Sequence, residues 1–394
     1  MYATAATSKG HLDGSLSAQW MSRPDDQRFL NLTDLRDQVK LWADQSLATV
    51  VESRDVRVLA NPQDAQRIAL QIEGIDSQLS MTHWSFDQLA QKAEAPAGYL
   101  RRIPAALAAI NLQHGLMHAA PEKLMAYHRA DGSSYLRALT SPSYGRILDH
   151  EVVDQVIAMI GHDDRWKVPG TIDWGSLNAN GTVNYDPETP VTKEGTTLYA
   201  SDRDVCIFLC DDRNPIEVGL LDDGSPDLMF RGFMLRNSET GSAKFSLKTM
   251  MLRGVCQNRN LWGVEDVSEL TIRHSNFAPE KFAELAPPAL ASFTNSAAAP
   301  VVAKVLAAKG VKFTGDNAER KADQVKLLHE RLKFPVKTAE AIVGTDPNGQ
   351  GKALDAPSNL WQLFNAGTAW ARKIPHQDDR TKAEAVLAKM LAKV

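Results

Sequence analysis

Between residues 196 and 236 the chain offers four short apolar runs, 196–199, 205–210, 216–221 and 228–236, each parted from the next by a turn containing Asp or Gly. Such runs with such punctuation predict antiparallel strands in a meander. A meander must bury a face against other elements, and helical spacing lies on both sides of this one. Helices are expected at 33–47, from Ser85 in the capping-box sequence Ser85-Phe86-Asp87-Gln88, after Pro96 and Pro104, and at 149–160. Five more are expected at 301–308, 318–332, 338–343, 360–374 and 380–391, and the apolar run 243–260 also reads as a helix. The prediction is an α+β fold whose central antiparallel sheet is packed with helices. It divides into a mainly helical N-terminal region (1–130), an α+β core (131–285), an Ala/Pro-rich linker (286–300) and a helical C-terminal region (301–394).

Composition narrows the class. With 394 residues, 43% of them hydrophobic, the chain can bury a large core without staples. Three cysteines make no disulfide framework. Cys206 and Cys210 share one face of a predicted strand about 13 Å apart, too far for a bond. No stretch approaches 18 apolar residues and residues 1–10 carry no apolar segment, which predicts no membrane span, no signal peptide and a reducing cytoplasm. The net charge of −4 excludes a global positive field, so a nucleic-acid role needs a local patch.

Few residues carry the pattern of an active site. His114 and His118 are four apart, as in zinc helices, but the glutamate of that motif is missing and no third ligand stands at a matching spacing. Gly344 to Lys352 imitates a phosphate loop, yet Gln350-Gly351 stand where Lys and Ser/Thr belong. Cys256 with His274 as base has no neighbour that would activate the thiol. An acidic run including Asp202, Asp204 and Asp211 could hold Mg²⁺, but most of it falls in or beside predicted hairpin turns, where Asp is favoured for turn geometry and forms a solvated rim. No cofactor or metal is expected, and the reading leans away from an enzyme.

The stretch 228–263 is the opposite in charge, with Arg231, Arg236, Lys244, Lys248, Arg253 and Arg259 against the single acid Glu239. Phe230, Phe233, Phe245 and Trp262 interleave with them. Bases that neutralise phosphate beside aromatic faces that stack on bases are the two devices of single-strand binders. Pairing of these bases with the neighbouring acidic run is the competing structural reading.

The order of motifs resembles a family of phage and plasmid proteins known as domain of unknown function 932. The matching pieces are Ala95-Pro96-Ala97-Gly98-Tyr99-Leu100, Thr140-Ser141-Pro142-Ser143-Tyr144-Gly145-Arg146, Tyr199-Ala200-Ser201-Asp202-Arg203-Asp204, Phe230-Arg231-Gly232-Phe233, Asn237-Ser238-Glu239-Thr240-Gly241, Gln257-Asn258-Arg259 and Ile272-Arg273-His274, over residues 85 to 285. The meander followed by a helix is also similar to the core of the Rad52-like and Redβ-like single-strand annealing proteins. What the resemblance implies is a mobile-element protein in a bacterial cytoplasm that self-associates into a ring or filament and binds single-stranded DNA, annealing it in recombination or replication. The expected contacts are Arg231, Arg236, Lys244, Lys248 and Arg259, with Arg146 and Arg273 outlying and Phe233 and Tyr144 stacking. Two alternatives stay open: a metal-dependent hydrolase of nucleic acid or nucleotide using Asp202, Asp204 and Asp211, and a host-directed anti-defence protein whose acidic hairpins form the contact surface.

Overall fold

The computed structural model describes residues 23–61, 64–129, 134–161, 165–169, 173–177, 183–184, 190–193, 195–211, 213–220, 224, 226–253, 259–260, 270–294, 299–347, 352–374 and 377–391. Its architecture is α+β, as the sequence predicts. A nine-stranded antiparallel sheet runs in the order Arg28–Phe29, Leu198–Ala200, Val205–Asp211, Pro226–Asn237, Phe245–Arg253, Arg259–Asn260. Trp166–Lys167, Ile216–Leu220 and Leu270–Ile272 pair onto Val205–Asp211, Pro226–Asn237 and Phe245–Arg253 respectively. Val205–Asp211 is buried along its whole length, because strands flank it and helices Leu32–Asp44, Asp149–Ile160 and Ala278–Thr294 pack on Val205, Ile207 and Leu209. Cys206 and Cys210 alternate to the other face, both buried and neither in a disulfide.

Four expectations are corrected. Within the run 243–260, the segment Phe245–Arg253 is a strand and not a helix, paired over eight residues with Pro226–Asn237. An apolar run buried on both faces carries no alternation, so periodicity cannot tell it from a buried helix. The span 286–300 is not simply a linker, since the helix Ala278–Thr294 runs through Pro287 and Pro288. Ala278, Phe282, Ala286 and Leu290, four apart, form its buried stripe.

The region before residue 130 is less purely helical than expected, with a substantial share of strand beside its helices among the described residues. Strands Ser46–Glu52, Lys123–Arg129, Tyr135–Thr140 and Ser80–Met81 form a second sheet, in that order, and its central pair crosses the expected boundary at 130. The hairpin Val56–Asn61/Asp64–Ile72 and the helices His83–Lys92 and Ala105–His118 close a core around Phe86, Leu89, Leu112 and Leu136. The helix His83–Lys92 starts earlier than expected: Thr82, not Ser85, is the cap, accepting from the Ser85 N–H at 3.1 Å.

The C-terminal helices Ala299–Gly310, Asn317–Leu332, Val336–Val343, Leu360–Ala371 and Gln377–Ala388 follow the predicted pattern. They build a third core with Ile216, Val218 and Met229 at one end of the main sheet. No helix among the described residues is long and apolar enough to cross a membrane.

Candidate nucleic-acid interface

The strand Pro226–Asn237 leaves the sheet through a turn held from several sides. The hydroxyls of Ser238, Thr240 and Ser242 all donate to the Arg203 carbonyl, at 2.7, 2.9 and 3.0 Å. Gly241 takes the left-handed conformation (φ +87°) that glycine adopts without steric cost. From the helix His83–Lys92, Trp84 Nε1 and Gln88 Nε2 both donate to the Thr240 carbonyl at 2.9 Å.

Against this turn lies a second loop. The Tyr144 hydroxyl donates to the Ser238 carbonyl at 2.9 Å, and its ring stacks on His274, centroids 4.9 Å apart. Burial lowers the His274 imidazole from its usual value, so it is neutral near pH 7, and its Nδ1–H donates to the Gly145 carbonyl at 3.0 Å. A Cβ on Gly145 would stand 1.8 Å from the Ser275 carbonyl oxygen, which explains why glycine occupies that position. Gly145→Ala is expected to destabilise the fold by about 1–3 kcal/mol through overpacking and to separate Tyr144 from His274. Urea denaturation and the chemical shifts of the His274 ring check both.

Between these loops opens a cleft of about 600 Å³ lined by Ser141, Ser143, Tyr144, Lys244, Arg273 and Phe277, among others. Lys244 and Arg273 are exposed, Phe277 is 68% exposed, and no lining residue is acidic.

The cleft gathers three of the nine sequence candidates, Tyr144, Lys244 and Arg273. Arg236 is spoken for: its Nε and Nη2 donate to Asp204 at 3.1 and 2.8 Å. Arg23 and Arg203 join the same buried carboxylate at 2.5 and 3.6 Å. Burial works to raise Asp204, but the three guanidinium groups together outweigh it and hold the carboxyl far below the usual range. Phe233 is not a stacking partner, being fully buried with its ring edge-on to Trp166. Arg231 is half-buried, with burial lowering its guanidinium, and it shares Asp211 electrostatically with Arg165. It stands six residues back from Asn237, about 20 Å along the strand. Lys248 lies opposite Met234 in the ladder, about 13 Å from Lys244. Arg259 pairs through its backbone with Leu252, and its side chain lies outside what is described. A continuous basic track through all seven cations is therefore not formed among the described residues.

Arg146 belongs to a buried joint instead. Its Nε donates to the Glu239 carbonyl at 2.8 Å, and its guanidinium lies 4.0 Å from the centroid of Tyr127. Arg137 covers Tyr127 at 4.9 Å and donates to Glu239 Oε2 at 2.9 Å. Glu239 Oε1 accepts from the Asp149 N–H at 2.9 Å, and Asn237 donates to Asp149 at 2.8 Å. Burial first, then the neighbouring Glu239, pushes Asp149 well above the carboxylate range. The same two causes, in the same order, push Tyr127 up to about 12. The sequence shows neither this joint nor Phe277, because the groups that meet at Glu239 and Asn237 are 88 to 102 residues away along the chain and no short-range pattern links them.

The remaining candidates are structural in what is described. Asp211 Oδ1 accepts from the N–H groups of Arg213 and Asn214, a turn-forming role. His118 Nδ1 bonds the His114 carbonyl at 2.8 Å on an exposed helix face. Thr345 and Lys352 bridge across the loop that imitated a phosphate site. Cys256 lies outside the described residues. Among the described residues no group of three or more His, Cys, Asp or Glu is placed to hold a metal. Compared with models of known protein families, with curated proteins and with solved structures, the chain matches none.

Proposed function

We propose that this chain binds single-stranded DNA without catalysing a reaction on it, as a phage- or plasmid-type protein of the bacterial cytoplasm, and that the cleft beside Gly241 is where the strand is gripped. The observation that carries this is the pairing of Lys244 and Arg273 on one 600 Å³ cleft with no acidic lining residue, in a chain of net charge −4. Two cations there attract phosphate over about one Debye length whatever the distant charge. Phe277, at the rim, offers a face on which an unpaired base stacks, and Ser141 and Ser143 offer hydroxyls to phosphate. This is a shorter grip than the basic track the sequence suggested, so affinity is modest and annealing depends on several copies acting along one strand.

Fluorescence anisotropy with a labelled oligothymidylate across a salt series tests it. Binding is expected at about 50 mM salt, with the logarithmic salt slope falling by about 0.7 for each of Lys244→Ala and Arg273→Ala. Phe277→Ala is expected to weaken binding by about 1–3 kcal/mol without changing that slope. No binding at low salt, or binding indifferent to all three substitutions, overturns the reading.

A further inference from the structure

The strand Ser46–Glu52 ends the second sheet, and among the described residues no strand pairs with its outer edge. Its inner edge is laddered without a bulge to Lys123–Arg129, from Ser46 opposite Arg129 to Glu52 opposite Lys123. Edges that remain in solvent are ordinarily guarded by Lys, Pro or a bulge. Ser46-Leu47-Ala48-Thr49-Val50-Val51-Glu52 has none of these, and Leu47 and Val50 are 57% and 54% exposed.

The phase of the ladder says which backbone groups face outward. The Ser53 N–H donates to the Glu122 carbonyl at 2.9 Å, so the odd-numbered residues point inward. Successive residues in a strand direct their N–H and C=O to opposite edges. Ser46, Ala48, Val50 and Glu52 therefore present theirs to the outer edge.

We propose that this edge pairs with the same edge of a second copy, antiparallel about a two-fold axis at Thr49. Of the registers that set outward groups against outward groups, this one engages all seven residues, with about eight hydrogen bonds. It places Ala48 opposite Val50 of the second copy, Leu47 opposite Val51, Thr49 opposite itself and Ser46 opposite Glu52. Apolar thus meets apolar, a Thr–Thr pair forms at the centre, and no like charges face each other. The two Glu52 residues end about 20 Å apart. The strand is self-complementary when read backwards, which is what an isologous contact requires and what an arbitrary peptide would not supply. The two second sheets become one eight-stranded sheet. The proposal does not depend on the nucleic-acid reading.

A seven-residue edge buries less than the roughly 800 Å² per partner of a standard interface, so association is expected with a Kd of about 10–100 μM. Sedimentation velocity of the full chain from about 1 to 300 μM should show monomer converting to dimer. Ala48 and Val50 are exposed, so substitutions there leave the fold intact, and an unchanged urea midpoint checks this. The double variant Ala48→Lys/Val50→Lys sets like charges directly opposite in the proposed register and is expected to stay monomeric. Ala48→Glu/Val50→Lys sets Glu opposite Lys at the same two places and is expected to dimerise at least as well as the native chain at low salt. A native chain that stays monomeric throughout overturns the proposal. So does a dimer that neither variant disturbs, or one that both variants weaken equally.

Discussion

Replacing Asp204 by Ala is expected to destabilise the protein by about 3–5 kcal/mol at pH 7, because it strands buried cations rather than removing a contact. Arg23 is 5% exposed and Arg236 only partly exposed, and both reach into the same carboxylate with Arg203 beside them. Against a typical total of about 5–15 kcal/mol, that loss is about a third or more of the stability of an ordinary domain. The effect depends on pH in a definite direction. Three guanidinium groups, prevailing over burial, hold the folded carboxyl below its unfolded value of about 3.9. Its stabilisation is therefore present above about pH 4 and lost as the pH falls further. The gap between the urea midpoints of native protein and Asp204→Ala should be widest at pH 7 and narrow steadily as the pH falls below about 4. A constant gap across that range would mean the carboxylate acts by shape alone.

Glu239→Ala is expected to cost about 3–5 kcal/mol as well, by leaving Arg137, 1% exposed, without its ion pair. Here the neighbourhood offers partial relief. Asp149 is held toward its neutral form by burial and by Glu239, and Arg137 is among the charges acting on it. With Glu239 gone, Asp149 ionises more readily and shares the guanidinium charge. Asp149→Asn should therefore cost more in the Glu239→Ala background than in the native protein, a coupling of about 0.5–3 kcal/mol in a double-mutant cycle. Equal costs in both backgrounds would show that Asp149 does not feel Arg137.

The strength of these two clusters explains what was and was not legible in the sequence. Strands 205–210 and 228–236 and the helix 149–160 were readable because apolar runs and their turns are local signals. The C-terminal helices were readable by amphipathic spacing for the same reason. Phe245–Arg253 was not, because burial of both faces erases the alternation that marks a strand. The site suffered a different loss. Counting Arg and Lys in a segment assumes that nearby residues point the same way, but a strand sends Arg231 and Arg236 to opposite faces, sets Arg231 opposite Met251 and so about 23 Å along the strand from Lys244, and turns Arg236 onto the Asp204 carboxylate. Which cations stay in solvent is decided by acids far along the chain, such as Asp204 for Arg236 and Glu239 for Arg137. Tyr144, Lys244 and Arg273 share a cleft only because separate turns meet there, and that meeting is a property of the tertiary fold.

The Thr240 carbonyl, gripped by Trp84 and Gln88, has a mechanical consequence. Any load on the turn that leads to Lys244 is passed to a helix packed in a different hydrophobic core, so two cores share it.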